Sequence, residues 1–199
     1  MLSKKIFPFF FIIIINIFNI NISYSIEPDV FIQSTVNRAS EALNNIYSKE
    51  EKIEKLKQIA SETVNIDGIG RYTLGSYKNK ITESQMTEYK TLFREYFLKT
   101  FSSRLAEYSN PEIEVISKKK LNENYTMVYS VLVATEQRAE VKIDWRVSTK
   151  NPDNPLIMNL IIEGLSLART QKEEFSSIIQ GNDGDISALF NSLDKFIKN

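Results

Sequence analysis

The sequence predicts an α+β domain, in which helices pack on a four-stranded antiparallel twisted sheet. Three observations along the chain support this class. Apolar residues recur at helical spacing over residues 28–110, alternate with polar residues over 112–163, and return to helical spacing over 170–199. Helices, then a block of strands, then further helices define the α+β class. We expect a single domain over residues 26–199.

Capping signals divide the first helical block into separate helices. Ser48 and Glu51 have the spacing of a capping box and open the second helix. Thr82 and Gln85 form another box, which opens the longest helix, and the proline directly after Asn110 closes that helix. The apolar stripe of this helix is too wide for a helix that rests on one flat surface. We therefore expect neighbouring elements to pack against two of its sides. The apolar faces expected for the first two helices are Val36, Leu43 and Ile46, followed by Ile53, Leu56, Ile59 and Ala60.

The alternating block predicts four strands joined by short turns, as in an antiparallel meander. Their expected bounds are Glu112–Lys119, Asn124–Thr135, Ala139–Thr149 and Leu156–Glu163. The third strand alternates strictly, and its apolar face carries Val141, Ile143, Trp145 and Val147. That strand therefore has one buried face and one wet face. The second strand is apolar on both faces, so its sequence leaves open which side turns inward.

Two further helices are expected after the strands. Thr170 and Glu173 have capping-box spacing and mark the start of the first of these helices. The NDGD sequence that follows lacks the ligand spacing and the terminal Glu of a calcium loop, so it predicts a turn. Its last residue, Asp185, is the expected N-cap of the final helix.

The glycines at positions 68 and 70 also fit a structural role in the backbone better than a ligand site. Gly68 and Gly70 resemble a phosphate-binding loop superficially. The Lys-Ser/Thr pair that completes such a loop is missing, and no strand leads into it. A junction between helices is expected there.

The first 25 residues have the three-part pattern of a secretory signal. Lys4 and Lys5 precede an apolar run from Ile6 to Ile15, and small residues lead to a cleavage site expected after Ser25. A retained membrane anchor is the alternative, but a spanning helix needs about 20 apolar residues, and asparagines interrupt this run. We therefore expect a cleaved signal over residues 1–25 and an exported domain.

Composition excludes several kinds of site. The chain of 199 residues has 25 basic and 25 acidic side chains, no cysteine and no histidine. It therefore has no disulfide, no Cys-His zinc site, no thiolate nucleophile and no Ser-His-Asp triad. We expect no enzymatic activity, no catalytic residue, no metal and no cofactor. Loss of the signal removes two basic residues and leaves a slightly acidic chain, so nucleic acid is not an expected partner.

One basic run stands out from this near-neutral composition. Lys118, Lys119 and Lys120 follow one another close to the end of the first expected strand. A solvated strand end is the first interpretation, and a contact with anionic lipid headgroups is the alternative.

Three segments carry a more specific signal. They are NIDGIGRYTLGSY at 65–77, FREYFLKTF at 93–101 with RLAEY at 104–108, and IEGLSL at 162–167. The first resembles the LG-x-Y segment, the second the long-helix signature and the third the strand-end EG-(V/L)-S-L segment of the MlaC family. That family comprises periplasmic phospholipid-binding proteins of ABC-type lipid transport. The order and spacing of the segments agree over about residues 30–197.

The resemblance implies a periplasmic carrier whose helices and sheet enclose an apolar pocket for phospholipid acyl chains. It also implies two partners, an inner-membrane ABC lipid transporter with an MCE-domain subunit and an outer-membrane lipoprotein–porin complex. Lipid moved between them would maintain outer-membrane lipid asymmetry. Carried over by position, the lipid-binding residues on helices are Leu74, Phe93, Phe97, Phe101 and Leu105. Those on the sheet are Met127, Tyr129, Val131, Val141, Ile143 and Trp145.

Two other functions fit the same residues. An exported small enzyme would use Asp, Glu or Tyr on an apolar substrate, and a protein-binding adaptor of the envelope would need no cavity. Asp144 and Glu163 are a carboxylate pair with the chemistry for acid–base catalysis. Asp144, however, lies on the polar face of its strand, where a solvated side chain is expected. Phospholipid bound to the purified protein would distinguish a carrier from both the enzyme and the adaptor.

Overall fold

The structure is a computed structural model and describes residues 25–108 and 111–199; residues 1–24 of the signal predicted at 1–25 lie outside this part. Within the described residues, six α-helices accompany a five-stranded antiparallel sheet, so the predicted α+β class is confirmed. The helices are α1 (Pro28–Asn44), α2 (Lys49–Thr63), α3 (Ile66–Thr73), α4 (Glu83–Leu105), α5 (Leu167–Gln180) and α6 (Ile186–Lys198). The strands are β1 (Ile113–Asn122), β2 (Tyr125–Leu132), β3 (Val141–Ser148), β4 (Leu156–Ile162) and β5 (Leu165–Ser166). Across these two stretches, no helix is long and apolar enough to cross a membrane.

The helix boundaries confirm two of the three predicted capping boxes and correct two expectations. In these two boxes, the hydroxyl groups of Ser48 and Thr82 accept the backbone N–H three residues further on. α4 ends at Leu105 rather than at Asn110, which lies outside the described residues. Its 23 residues span about 34 Å. Ile46, expected on the apolar face of the first helix, lies beyond the end of α1 and is fully exposed.

The sheet is an antiparallel meander in the order β1-β2-β3-β4-β5, and its last, two-residue strand is not predicted by the sequence pattern. The turn before β5 places Glu163 and Gly164 at φ angles of +48° and +80°. Glycine adopts this left-handed region readily, whereas glutamate does so at a cost. Hydrogen bonds hold Glu163 there: its carboxylate accepts the backbone N–H of Lys142, and its own N–H donates to the Lys142 carbonyl.

The start of α5 differs from the prediction. The hydroxyl of Ser166 accepts the N–H of Arg169 and caps the helix. Asn159 on β4 fixes this cap, because its amide nitrogen donates to Ser166 and its amide oxygen accepts the N–H of Ala168. The cap predicted at Thr170 is therefore wrong, and the EGLSL segment is the corner that turns the chain from the sheet into α5.

The strand register divides the sheet into an inner face, which packs against helices, and an outer face. Directly opposed residues of an antiparallel pair project to the same face, and neighbours in a strand project to opposite faces. Val128 lies opposite Trp145, and both belong to the buried core shared with the helices. Met127 lies opposite Arg146. Met127 and Arg146 therefore belong to the outer face.

Side chains of α1 cover the free edge of β1. The amide nitrogen of Gln33 donates to the carbonyl of Ile113, and its amide oxygen accepts the N–H of Val115. Ser40 donates to the carbonyl of Pro111, just before the strand. These side chains satisfy backbone groups that a further strand would otherwise have to satisfy.

α3 and α4 approach each other closely at Gly70. A Cβ atom on Gly70 would lie 2.6 Å from Cδ1 of Phe93. The hydroxyl of Thr73 donates to the Gly70 carbonyl over 2.7 Å, and it lies 2.8 Å from the hydroxyl of Tyr89 on α4. The two glycines of the phosphate-loop-like motif, Gly68 and Gly70, thus lie inside α3, where Gly70 makes room for α4.

Gly70→Ala is expected to lower the free energy of unfolding by about 1–3 kcal/mol, because the added methyl group forces Phe93 or α3 out of a packed core. Arg71→Ala, at the next position of the same helix, removes an exposed side chain and should change the free energy of unfolding by less than about 0.5 kcal/mol. Urea unfolding measures both. Wild-type stability of Gly70→Ala would contradict a fixed contact between α3 and α4.

Candidate functional site

Seven of the eleven predicted lipid-binding residues come together between the helices and the inner face of the sheet. They are Leu74, Phe93, Phe97, Phe101, Val141, Ile143 and Trp145. Phe97, Phe101 and Val141 are half-buried at the margin of this apolar cluster, and the other four are buried within it. Leu105 is half-buried in the last turn of α4.

α4 carries a ladder of three phenylalanine rings. The ring centroids of Phe93 and Phe97 are 6.1 Å apart, and those of Phe97 and Phe101 are 5.6 Å apart with planes only 8° from parallel. Residues four apart on a helix share one face, which places the rings in a row. Phe93 is 2% exposed, whereas Phe97 and Phe101 are half-buried. The ladder therefore leads from the closed core towards solvent.

Trp145 provides the largest side chain on the sheet side of the cluster. Its indole N–H donates to the hydroxyl of Ser130 over 2.8 Å, and that hydroxyl donates to the carbonyl of Ile143 over 2.9 Å. The indole nitrogen is thus satisfied inside the protein, and the ring presents carbon to the cluster. Sequence reasoning missed Ser130, whose signal is a single hydroxyl among the apolar residues of its strand.

Three residues that were expected to line the sheet side of the pocket lie on the outer face. Met127, Tyr129 and Val131 are directly opposite Arg146, Asp144 and Lys142, respectively. They therefore point away from Trp145, and the two sets do not line one sheet face. The cause is the two-residue period of a strand, because a strand that is apolar on both sides gives no sign of its register.

Tyr89 is the most deeply buried titratable group of the cluster, and its surroundings keep it neutral. Burial raises the pKa of Tyr89 far above its ordinary value of 10.0, although the hydrogen bond with Thr73 opposes the shift. The ring packs 5.7 Å from Phe93 and 6.0 Å from Phe190, between α4 and α6. Tyr89 therefore acts as a polar tie between helices and not as a base near neutral pH.

The carboxylate pair weighed for acid–base chemistry lies away from the cluster. Burial raises the pKa of Asp144, Lys142 lowers it, and Glu163 raises it further. Asp144 is half-buried on the outer face, opposite Tyr129. In the part of the chain that the structure describes, no three His, Cys, Asp or Glu residues are grouped so as to hold a metal ion.

Two surface clefts lie apart from the apolar cluster. One, of about 220 Å³, lies between α1 and α2, and the other, of about 370 Å³, lies between α1 and β1. Both are lined mainly by polar side chains, and none of the eleven predicted lipid-binding residues lines either cleft.

Helices over one face of an antiparallel meander, with an aromatic ladder at their margin, define a class of α+β proteins built around an apolar interior. The chain belongs to the MlaC protein family, whose model matches residues 33–195. The resemblance found in the three sequence segments is thereby confirmed.

Two known proteins illustrate the relationship. Toluene tolerance protein ttg2D of Pseudomonas putida is 23% identical over 145 residues, and the match covers 67% of this chain. The chain spans 61% of the length of that relative. A phospholipid-binding protein from Ralstonia solanacearum, solved in complex with a phospholipid, has a TM-score of 0.72 at 17% identity. That match covers 87% of this chain and 98% of the other, and it shows a common fold.

The stability of the protein is expected to fall above pH about 10, because Tyr89 ionises in the unfolded chain while the fold keeps it neutral. This contribution is fully present below the unfolded pKa and is lost as the pH rises through the folded pKa. Tyr89→Phe should therefore show a smaller loss between pH 9 and 11 in urea unfolding. Tyr72→Phe, at an exposed position, is the control and should follow the wild type. An identical loss of stability between pH 9 and 11 in the wild type, Tyr89→Phe and Tyr72→Phe would contradict the assignment of this loss to Tyr89.

Proposed function

We propose that this protein is a periplasmic phospholipid carrier that holds acyl chains beside the inner face of its sheet. The observation that carries this proposal is the half-buried ladder at Phe97 and Phe101, which lies against a buried apolar cluster in a chain of the MlaC family. The Ralstonia solanacearum protein adds support, since a protein of the same fold was solved with a phospholipid.

The ladder marks the place where acyl chains enter. Leu74 and Phe93 are 0% and 2% exposed, so a ligand meets the half-buried rings of Phe97 and Phe101 first. Movement of these rings away from the buried cluster would expose Phe93 on the helix side and Trp145 on the sheet side. The pocket opens as lipid enters and closes behind it.

Closure without lipid has an energetic reason. A rigid empty cavity of about 800 Å³, large enough for two acyl chains, would cost on the order of 19 kcal/mol at about 24 cal/mol per Å³. That cost exceeds the usual net stability of about 5–15 kcal/mol. A carrier of this size therefore keeps its walls in contact until a ligand separates them.

Transfer itself requires no reactive group. Two acyl chains contain about 30 methylenes, and shielding them from water contributes on the order of 20–25 kcal/mol at about 0.8 kcal/mol each. The bilayer that donates the lipid shields the same methylenes from water. The contribution therefore nearly cancels when the lipid moves from the bilayer to the carrier. What the protein must supply is a wall as apolar as the bilayer and a dry path to it.

The same proposal assigns the partners expected for the family. The signal at residues 1–25 would direct export to the periplasm. There the carrier would exchange lipid with an inner-membrane ABC lipid transporter bearing an MCE-domain subunit and with an outer-membrane lipoprotein–porin complex. Net movement between them would maintain outer-membrane lipid asymmetry.

Phe97→Asp is expected to reduce co-purified phospholipid at least about tenfold, because an ionised carboxylate in an apolar wall costs several kcal/mol. Met127→Asp, on the outer face, should retain wild-type lipid if the inner face holds the acyl chains. Ile46→Asp, at a fully exposed position, is the control. Solvent extraction and mass spectrometry measure the lipid bound per protein, and circular dichroism checks the fold. Normal lipid in Phe97→Asp, or loss in Met127→Asp, would overturn the inner-face site.

The single tryptophan of the chain offers a second measurement. Phospholipid with brominated acyl chains should quench the fluorescence of Trp145, because the ring lies in the apolar cluster of the inner face. A headgroup-brominated analogue, whose bromine stays at the mouth, is the control and should quench less. Stoichiometric binding of the acyl-brominated lipid without quenching would show that the chains lie elsewhere.

A further inference from the structure

The outer face of the sheet carries cations at one end, where the β1–β2 turn meets the loop after β3. Lys119, Met127 and Arg146 lie directly opposite one another on β1, β2 and β3, so their side chains form a row across the sheet. Tyr125 is two residues before Met127 and projects to the same face. Lys150 follows at the end of β3.

The cations of this end are available to a ligand. The guanidinium carbon of Arg146 lies 4.6 Å from the ring centroid of Tyr125, and the ammonium of Lys150 lies 5.9 Å from it. Among the described residues, Lys119, Arg146 and Lys150 form no ion pair, and all three are exposed. They differ in this from Lys118, which projects to the inner side and binds both Glu27 and Asp29.

The triple-lysine run is thus divided by the register of β1. Lys118 is neutralised beside α1, whereas Lys119 joins the outer-face row. The acidic residues of this end, Glu123 and Asp153, lie in the two loops and not on the strands. Asp144 lies two residues before Arg146 on the same face, towards the opposite end of the sheet.

We propose that this end of the outer face, formed by Lys119, Tyr125, Met127, Arg146 and Lys150, docks on the surface of an anionic phospholipid bilayer. Exposed cations complement lipid phosphates, and each Lys or Arg near such a surface strengthens binding by about fivefold. Tyrosine and the stems of Lys and Arg suit the boundary between headgroups and acyl chains. Leu121, 41% exposed near the end of β1, adds an apolar group at the same end.

The shape of the patch favours a planar partner. The row crosses three strands, which places the backbones of Lys119 and Arg146 about 10 Å apart on an open sheet surface. Since the cargo wall proposed above lies on the inner face, docking and cargo binding use opposite faces and do not compete. The docked protein would therefore stay at the leaflet with its ladder free to open.

Co-sedimentation with vesicles tests this surface. The purified protein should bind vesicles of phosphatidylglycerol and phosphatidylcholine at 3:7 more tightly than vesicles of phosphatidylcholine alone, and 0.5 M NaCl should remove the difference. The triple variant Lys119→Gln, Arg146→Gln, Lys150→Gln should bind the anionic vesicles about 100-fold more weakly. A control triple with the same charge change at exposed positions elsewhere, Arg71→Gln, Lys90→Gln, Lys195→Gln, should stay within about threefold of wild type.

The outcomes separate docking from cargo binding. Phospholipid co-purified with each variant, measured by mass spectrometry, should be unchanged in both triples, whatever the vesicle result. If the outer-face triple unfolds at lower urea than the control, the single variants Lys119→Gln and Lys150→Gln replace it, each with an expected loss of about fivefold. Equal weakening by the two triples, or no preference of the wild type for anionic vesicles, would overturn the docking surface.

Discussion

The close contact of α3 with α4 at Gly70 is the constraint on which the helical layer depends. Because Gly70 has no side chain, the ring of Phe93 lies against the backbone of α3, and the hydroxyls of Thr73 and Tyr89 meet at the same carbonyl. This contact sets the position of α4 along α3. Since Phe93 is also the most buried ring of the aromatic ladder, the contact also sets where the half-buried rings of Phe97 and Phe101 lie.

The parts of the fold that the sequence could predict are those with local causes. Ser48 and Thr82 mark the starts of their helices, because the side chains that satisfy the first backbone N–H groups lie within three residues of them. The third family segment is of the same kind. Glu163 and Gly164 of that segment form the corner between β4 and β5, which is a requirement of the local backbone. Gly70 of the first segment is required instead by Phe93 on α4, a distant partner.

The parts that the sequence could not predict depend on distant partners. β2 is apolar on both sides, and only its pairing with β3 shows that Val128 turns inward and Met127 outward. The start of α5 is fixed by Asn159 of β4, which selects Ser166 over the capping-box spacing at Thr170. For the same reason, the family resemblance grouped Met127 with Trp145, although the two side chains lie on opposite faces of the sheet.

The side chain of Gln33 has a consequence for how other polypeptides meet this protein. Its amide occupies the donor and acceptor positions that an incoming strand would use at Ile113 and Val115. This length of β1 is therefore closed to partners that recognise a sheet by extending it, and to self-association by the same route. Beyond the irregularity at Ile116, the edge continues into the lysine run, whose positive charges disfavour pairing with the same edge of a second copy. The side chain of one glutamine thus blocks this part of the sheet edge against pairing with a further strand.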